Sequence, residues 1–191
     1  MELLKNRIAH SGRVRGNDIL KVDSFLNHQL DIGLFQEIGR EFQKRFADEK
    51  ISKILTIEAS GIGIACITAQ YFHNVPVVFA KKFTAKNLNE DVYESKVYSY
   101  TKGASYLIRV DKNFLQAEDN VLIIDDFLAN GQAVLGLLDL ARQAGAKVAG
   151  VGIVIEKSFQ EGRELVLKEN VRLESLARVK SLEEGKITFV D

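Results

Sequence analysis

Strand-sized apolar runs alternating with helical segments constrain this chain more than any other feature. KILTIE (53–58), PVVFA (76–80), NVLIIDD (120–126) and KVAGVGIVIE (147–156) read as strands. GIGIACITAQYF (61–72), opened by glycines, and GQAVLGLLDLARQA (131–144) read as helices, with Gly145 suited to the position just past a helix end. The strands are apolar on both faces and their crossovers contain helices, so they pair in parallel. The alternation gives an α/β fold: a mainly parallel twisted sheet with helices on both faces.

The flanking segments are less regular. Residues 2–10 space Leu3, Leu4 and Ile8 as a short amphipathic helix. The stretch 12–30 is polar and Gly-bearing, with a brief apolar alternation at Ile19, Leu20 and Val22. Residues 31–47 form the clearest helix, with Asp31 as N-cap and Leu34, Phe35, Ile38, Phe42 and Phe46 on one face. Residues 92–110 break the alternation. They read as two strands around a Thr101-Lys102-Gly103 turn, either a solvent-facing edge hairpin or a lid over a site. VRLESLARV and KITFV give two short strands around a polar turn at Glu183, Glu184 and Gly185. No internal repeat is visible.

Composition narrows the function classes. With 191 residues, the chain is expected to form a single domain, 1–191. Lys+Arg and Asp+Glu are 26 each, which argues against a dedicated nucleic-acid binder and against a polybasic membrane patch. One cysteine, Cys66, allows no internal disulfide and no cysteine zinc site. Set among Ile62, Ile64 and Ile67, it reads as core. His10, His28 and His73 have no ligand spacing. The N-terminus has no leader pattern and no apolar run nears the ~20 residues of a membrane span, so a cytoplasmic protein is expected.

In open α/β sheets, ligands sit at the carboxyl ends of strands. VLIIDDFLANGQA (121–133) ends a buried strand on Asp125 and Asp126, then opens a helix at Gly131. A helix N-terminus presents free N–H groups to an anion, and small Ala129 and Gly131 let the backbone approach it. Two carboxylates beside such a site could hold sugar hydroxyls or a magnesium ion, which suits a phosphorylated sugar. They also fit plain caps at a strand end. Glu58-Ala59-Ser60-Gly61-Ile62-Gly63 holds part of a dinucleotide fingerprint, but Cys66 stands where a third glycine belongs and no ribose-binding acid follows. Ile155-Glu156-Lys157-Ser158-Phe159 ends a third strand. Phe159 could cover the face of a planar base and Lys157 could donate to its exocyclic oxygen; a strand-end turn with an exposed lysine fits equally.

The 121–133 stretch resembles the phosphoribosyl-pyrophosphate signature of the type I phosphoribosyltransferases. It departs from that signature at Asn130 and Ala133, where threonine is usual. ILKVDSFLNHQ (19–29), IEASGI (57–62) and GIVIEKSFQEGR (152–163) extend the resemblance over essentially the whole chain, toward bacterial members that take xanthine. The resemblance implies the type I phosphoribosyltransferase fold: a hood formed by 1–30 and the C-terminal strands, a core over 31–160, and a lid hairpin over 92–110. It implies that Asp125 and Asp126 act on the ribosyl centre. Ala129, Asn130, Gly131, Gln132 and Ala133 would grip the 5′-phosphate, and Ser60, Gly61 and Lys81 the pyrophosphate. Leu20, Asn27, Lys157 and Phe159 would contact xanthine. Lys82 reads as solvated. No protein-held metal is implied; Mg2+ would arrive with phosphoribosyl pyrophosphate. A homodimer without nucleic-acid or membrane partners follows from the same resemblance.

Other readings stand beside this one. A hypoxanthine/guanine phosphoribosyltransferase differs only in the base. A non-catalytic purine regulator binding phosphoribosyl pyrophosphate would need an added helix-turn-helix region and a basic face. A nucleotide-dependent oxidoreductase rests on the incomplete glycine pattern alone.

Overall fold

The computed structural model describes residues 1–83, 91–99 and 103–190. In chain order the elements are α1 (Glu2–Ser11), β1 (Arg13–Arg15), β2 (Ile19–Lys21), a π-helical turn (Asp23–Asn27), α2 (Ile32–Arg45), β3 (Lys53–Ile57), α3 (Ser60–Tyr71), β4 (Val77–Phe83), β5 (Val92–Ser99), β6 (Ala104–Asp111), β7 (Asn120–Leu128), α4 (Gln132–Ala144), β8 (Lys147–Lys157), α5 (Gly162–Leu167), β9 (Leu173–Ser181) and β10 (Thr188–Phe189).

One sheet of eight strands runs β10-β9-β8-β7-β3-β4-β6-β5, and β1 and β2 form a separate short hairpin. The strands β9, β8, β7, β3 and β4 are mutually parallel. Apolar residues alternate between the two faces, as period-2 side chains must. Ile54, Leu122, Ile124 and Val154 join Phe35, Ile38 and Phe42 of α2 and Ile64 of α3 on one face. Leu55, Ile57, Val121, Ile123, Val151 and Ile153 join Leu137, Leu140 and Ala141 of α4 on the other. Each such fully buried side chain contributes about 1.5–3 kcal/mol, so the central strands are fixed from both sides.

The caps follow the sequence. Asp31 Oδ1 accepts from the Leu34 amide at 3.1 Å, satisfying one of the free donors at the start of α2, and Arg7 pairs with the other carboxylate oxygen. At the end of α4 the Gly145 amide donates to the Arg142 carbonyl at 3.0 Å.

Two features differ from the sequence reading, the extent of β4 and the place of Cys66. β4 outruns its apolar stretch, because its last residues pair antiparallel with β6, Lys81 opposite Arg109 and Phe83 opposite Leu107. The hairpin β5–β6 is therefore the sheet's edge, and Val97, Ile108 and Val110 are buried in the α4-side core. Thr101 and Lys102 of its expected turn, and Tyr100 before them, lie outside the described residues. Cys66 is exposed rather than in the core. The buried face of α3 is Gly61, Ile64, Ala65, Thr68 and Ala69, and Cys66 falls outside that helical stripe.

The N- and C-terminal parts meet beside β9. The Met1 ammonium donates to the Leu176 carbonyl at 2.7 Å, and the Lys5 ammonium lies 5.9 Å from the Phe189 ring centroid. Among the described residues no helix is long and apolar enough to cross a membrane.

Candidate active site

The chain reverses its winding between β3 and β7. From β3 it crosses through α3 on one face to β4; from β7 it crosses through α4 on the opposite face to β8. The carboxyl ends of β3 and β7 thus open into the crevice where ligands bind in sheets of this kind. A cavity of about 200 Å³ lies there, lined by Glu58, Ser60, Gly61, Lys82, Asp125 and Asp126, with Tyr106 reaching in from the edge hairpin.

Asp125 is buried and Asp126 half-buried. Asp125 Oδ1 accepts from the Asp126 amide at 2.9 Å, and Asp126 Oδ1 from the Phe127 amide at 2.9 Å. Burial first, and then the neighbouring Asp126 carboxylate, push the Asp125 carboxyl well above its usual range, with Lys82 acting in the opposite sense. Gly61 makes this closeness possible: a Cβ there would stand 2.1 Å from Thr56 Oγ1 and 3.4 Å from Asp125 Oδ1. The Glu58–Ala59 peptide is cis.

A second cavity of about 200 Å³ follows along the strand ends. Its wall is the loop Phe127, Leu128, Ala129, Asn130 and Gly131 with the first turn of α4, Gln132, Ala133 and Val134, and Tyr106 is shared with the first cavity. Gly131 has φ +79°, a conformation that favours glycine. The loop leans on α5: the Gly162 amide donates to the Ala129 carbonyl at 3.0 Å. A Cβ on Gly162 would meet that carbonyl oxygen at 2.2 Å. The orphan N–H groups of the α4 N-terminus open beside the two aspartates, an arrangement suited to an anion linked to a hydroxylated ring.

At the end of β8, the half-buried Lys157 ammonium donates to the Asp18 carbonyl at 2.6 Å and lies 5.8 Å from the Phe127 ring centroid. Burial pulls its pKa down, and Asp18 offsets part of that. Leu20 is buried in β2, Asn27 is exposed at the end of the π-helical turn, and Phe159 is exposed beyond β8. Lys157 therefore ties the strand end to the β1–β2 hairpin through Asp18.

The two lysines of β4 part company. Lys82 lines the aspartate cavity, 5.6 Å from the Tyr106 ring centroid. Lys81 lies on the other face of the strand and lines a separate cavity of about 600 Å³ with Phe79, Phe83, Arg109 and Phe114. Strand alternation is the reason: Lys82 pairs with Ile108, on the α4 side, and Lys81 with Arg109. Among the described residues no three His, Cys, Asp or Glu side chains converge to hold a metal. The two aspartates offer hard oxygen donors of the kind Mg2+ takes alongside substrate oxygens and waters.

The phosphoribosyl transferase domain family matches residues 23–179. The chain belongs to this family. As a phosphoribosyltransferase it is 60% identical over 191 residues to the xanthine phosphoribosyltransferase of Ruminiclostridium cellulolyticum, covering 100% of each chain. It is 58% identical to that of Clostridioides difficile, over 99% of this chain and 100% of that one. In structure it is similar to the adenine phosphoribosyltransferase of Giardia lamblia complexed with 9-deazaadenine. The TM-score there is 0.77, with 25% identity over 92% of this chain and 97% of that one. The adenine phosphoribosyltransferase of Rhodothermus marinus shares the fold, with TM-score 0.74 and 19% identity over 94% of this chain and all of that one.

Sequence reasoning gave no role to Phe127 or Glu156, reached Tyr106 only as one of the hairpin's tyrosines, and gave Lys82 no role beyond that of a solvated lysine. The signal for Lys82 was the alternation itself, which sends adjacent lysines to opposite faces once β4 is extended through Phe83. Tyr106 carries no comparable signal, because its place depends on the pairing of β6 with β4.

Proposed function

We propose that the chain is a xanthine phosphoribosyltransferase. It transfers 5-phosphoribosyl from phosphoribosyl pyrophosphate to xanthine, giving xanthosine 5′-monophosphate and pyrophosphate. The observation that carries this reading is the set of groups at the carboxyl ends of β3, β7 and β8: the anion loop 129–133 and the Asp125–Asp126 pair lining adjoining cavities, and Lys157 at the end of β8. They correspond to the three parts of the substrates: phosphate, ribose and base. The named relatives at about 60% identity support xanthine as that base.

In this reading the loop amides and the α4 N-terminus hold the 5′-phosphate. Ser60, Gly61 and Lys82 face the pyrophosphate, while Lys81, expected there from the sequence, lies on the other face of β4 and lines a separate cavity. Asp125 and Asp126 accept from the ribose hydroxyls and stabilise positive charge developing at the ribosyl carbon as pyrophosphate leaves. Mg2+ carried by the pyrophosphate supplies charge neutralisation at the leaving group. Lys157 donates to an oxo group of the base, Phe159 covers its face, and Leu20 and Asn27 close the pocket from the hood. Fixing two substrates in line supplies a large share of the rate.

The whole chain then acts as one unit. The hood is formed by 1–30 with the C-terminal strands, and the edge hairpin contributes a lid. A cytoplasmic homodimer serving purine salvage completes the proposal. The test is turnover of the purified chain with phosphoribosyl pyrophosphate, Mg2+ and each purine in turn. Formation of xanthosine 5′-monophosphate with equimolar pyrophosphate is expected; no nucleotide from any purine would overturn it.

A further inference from the structure

Glu156 has no part in the chemistry just described, yet its carboxylate accepts four side-chain hydrogen bonds. Its side chain is fully buried at the end of β8. Oε1 accepts from Ser158 Oγ at 2.6 Å and Arg178 Nε at 3.0 Å. Oε2 accepts from Ser175 Oγ at 2.5 Å and Arg163 Nη1 at 2.7 Å. Burial alone would raise its pKa, but the hydrogen bonds of Ser158, Ser175 and Arg178 and the charge of Arg163 outweigh burial and hold it below the usual value.

Stability alone does not account for such a group. A buried ion network replaced by well-packed apolar side chains is often equally or more stable. What a carboxylate adds is direction, since four donors must come to two fixed oxygens.

Two of those donors lead to opposite ends of the site. Ser158 sits between Lys157 and Phe159, in the turn assigned to the base. Arg163 follows Gly162, whose amide holds the Ala129 carbonyl of the phosphate loop at 3.0 Å. The other two donors, on β9, anchor the carboxylate to the sheet.

We propose that Glu156 is a positioning residue that sets the separation between the base-reading turn 157–159 and the phosphate loop 129–133. The inference rests on the functional reading above. Base and ribosyl phosphate must meet within a fraction of an ångström of in-line geometry, and a displacement of about 1 Å can lower the rate about 100-fold.

The test separates the two arms by kinetics. Ser158→Ala removes the turn's side-chain bond to Glu156, Arg163→Met removes that of α5, and Glu156→Gln disturbs both while keeping shape. Ser158→Ala should raise KM for xanthine about tenfold with KM for phosphoribosyl pyrophosphate within about twofold, and Arg163→Met the reverse. Glu156→Gln should raise both and lower kcat about 10- to 100-fold. Arg178→Ala, which reaches neither arm, should lower Tm and leave both KM values within about twofold. A purely structural Glu156 predicts lower Tm in Glu156→Gln with both KM values unchanged, and that result overturns the proposal. If Glu156→Gln does not fold, the split between Ser158→Ala and Arg163→Met decides; two unchanged pairs of KM values overturn it. Wild-type turnover in the same series reports on the functional reading separately. Titration calorimetry with phosphoribosyl pyrophosphate and Mg2+ on wild type and Arg163→Met reads the loop arm without catalysis: weaker binding supports it, and equal affinity overturns it.

Discussion

The Asp125 carboxylate turns back on its neighbour: its Oδ1 accepts the Asp126 amide hydrogen at 2.9 Å, while the Asp126 carboxylate caps the next amide along. Two acids at adjacent positions are thereby held against the strand end instead of extending into solvent. The chain keeps a buried acid where its pKa is driven up, which disfavours the ionised form. Such strain is characteristic of functional sites.

Asp125→Asn should separate stability from activity. The folded-state pKa of Asp125 lies above the ordinary value of 3.8. Between that value and the raised one the folded chain holds more protons than the unfolded chain, so this group's contribution to stability falls as pH rises. The charged form opposes folding, and asparagine keeps the acceptor while removing the charge. Tm should stay level or rise by a few degrees, where about 1 kcal/mol corresponds to about 2–4 °C at this chain length. Turnover should fall about 10²–10³-fold in Asp125→Asn and in Asp126→Asn. Wild-type kcat in both variants, measured on the preparations used for melting, would remove the pair from the mechanism.

Gly162→Ala should act on the phosphate loop from behind. Its methyl group would stand 2.2 Å from the Ala129 carbonyl oxygen and 2.8 Å from the Gly131 nitrogen. Overpacking of this kind costs about 1–3 kcal/mol, released by shifting the loop or α5. KM for phosphoribosyl pyrophosphate should rise at least about tenfold and KM for the base should change little. Equal increases in both constants would mean that the loop does not act as a separate phosphate site.

Amide exchange should divide the edge hairpin in two. Ile108 and Val110 are buried in the sheet's core, so 108–111 should be protected with or without substrate. Tyr98 and Tyr106 line the loop cavity, so 97–99 and 103–106 should gain protection when phosphoribosyl pyrophosphate and Mg2+ bind. Closure there would shield a ribosyl cation equivalent from water. Equal exchange of 97–99 and 103–106 in both states would reject the lid.

The sequence carried the parallel core and much of the site because both rest on local patterns. Apolar runs gave β3, β7 and β8, Asp31 marked the start of α2, and the 121–133 stretch named the aspartates and the loop. α5 escaped because its six residues hold two charges and begin on a glycine, too short for a helical stripe. The β1–β2 hairpin escaped because three-residue strands show almost no alternation. Cys66 was misplaced because apolar neighbours in sequence are not neighbours on a helix face. Lys82 and Glu156 depend on pairing: the first on the register of β4 with β6, the second on donors from the 158 turn, α5 and β9. None of these contacts is encoded at a single spacing.

The most direct measurement is kcat/KM for xanthine, guanine, hypoxanthine and adenine under one set of conditions, in wild type and Lys157→Ala. Xanthine presents an oxo acceptor at position 2, where guanine presents an amino donor. A donor that the bound base buries against that oxygen, such as the Asn27 amide, is left unpaired by guanine at about 1–3 kcal/mol per buried group. Adenine sets an amino group against the Lys157 ammonium, donor against donor. Xanthine should lead guanine by roughly 10²–10⁴, adenine should give no detectable product, and Lys157→Ala should erase most of the preference. Guanine or adenine in first place, or an unchanged ranking and rate in Lys157→Ala, would contradict the account.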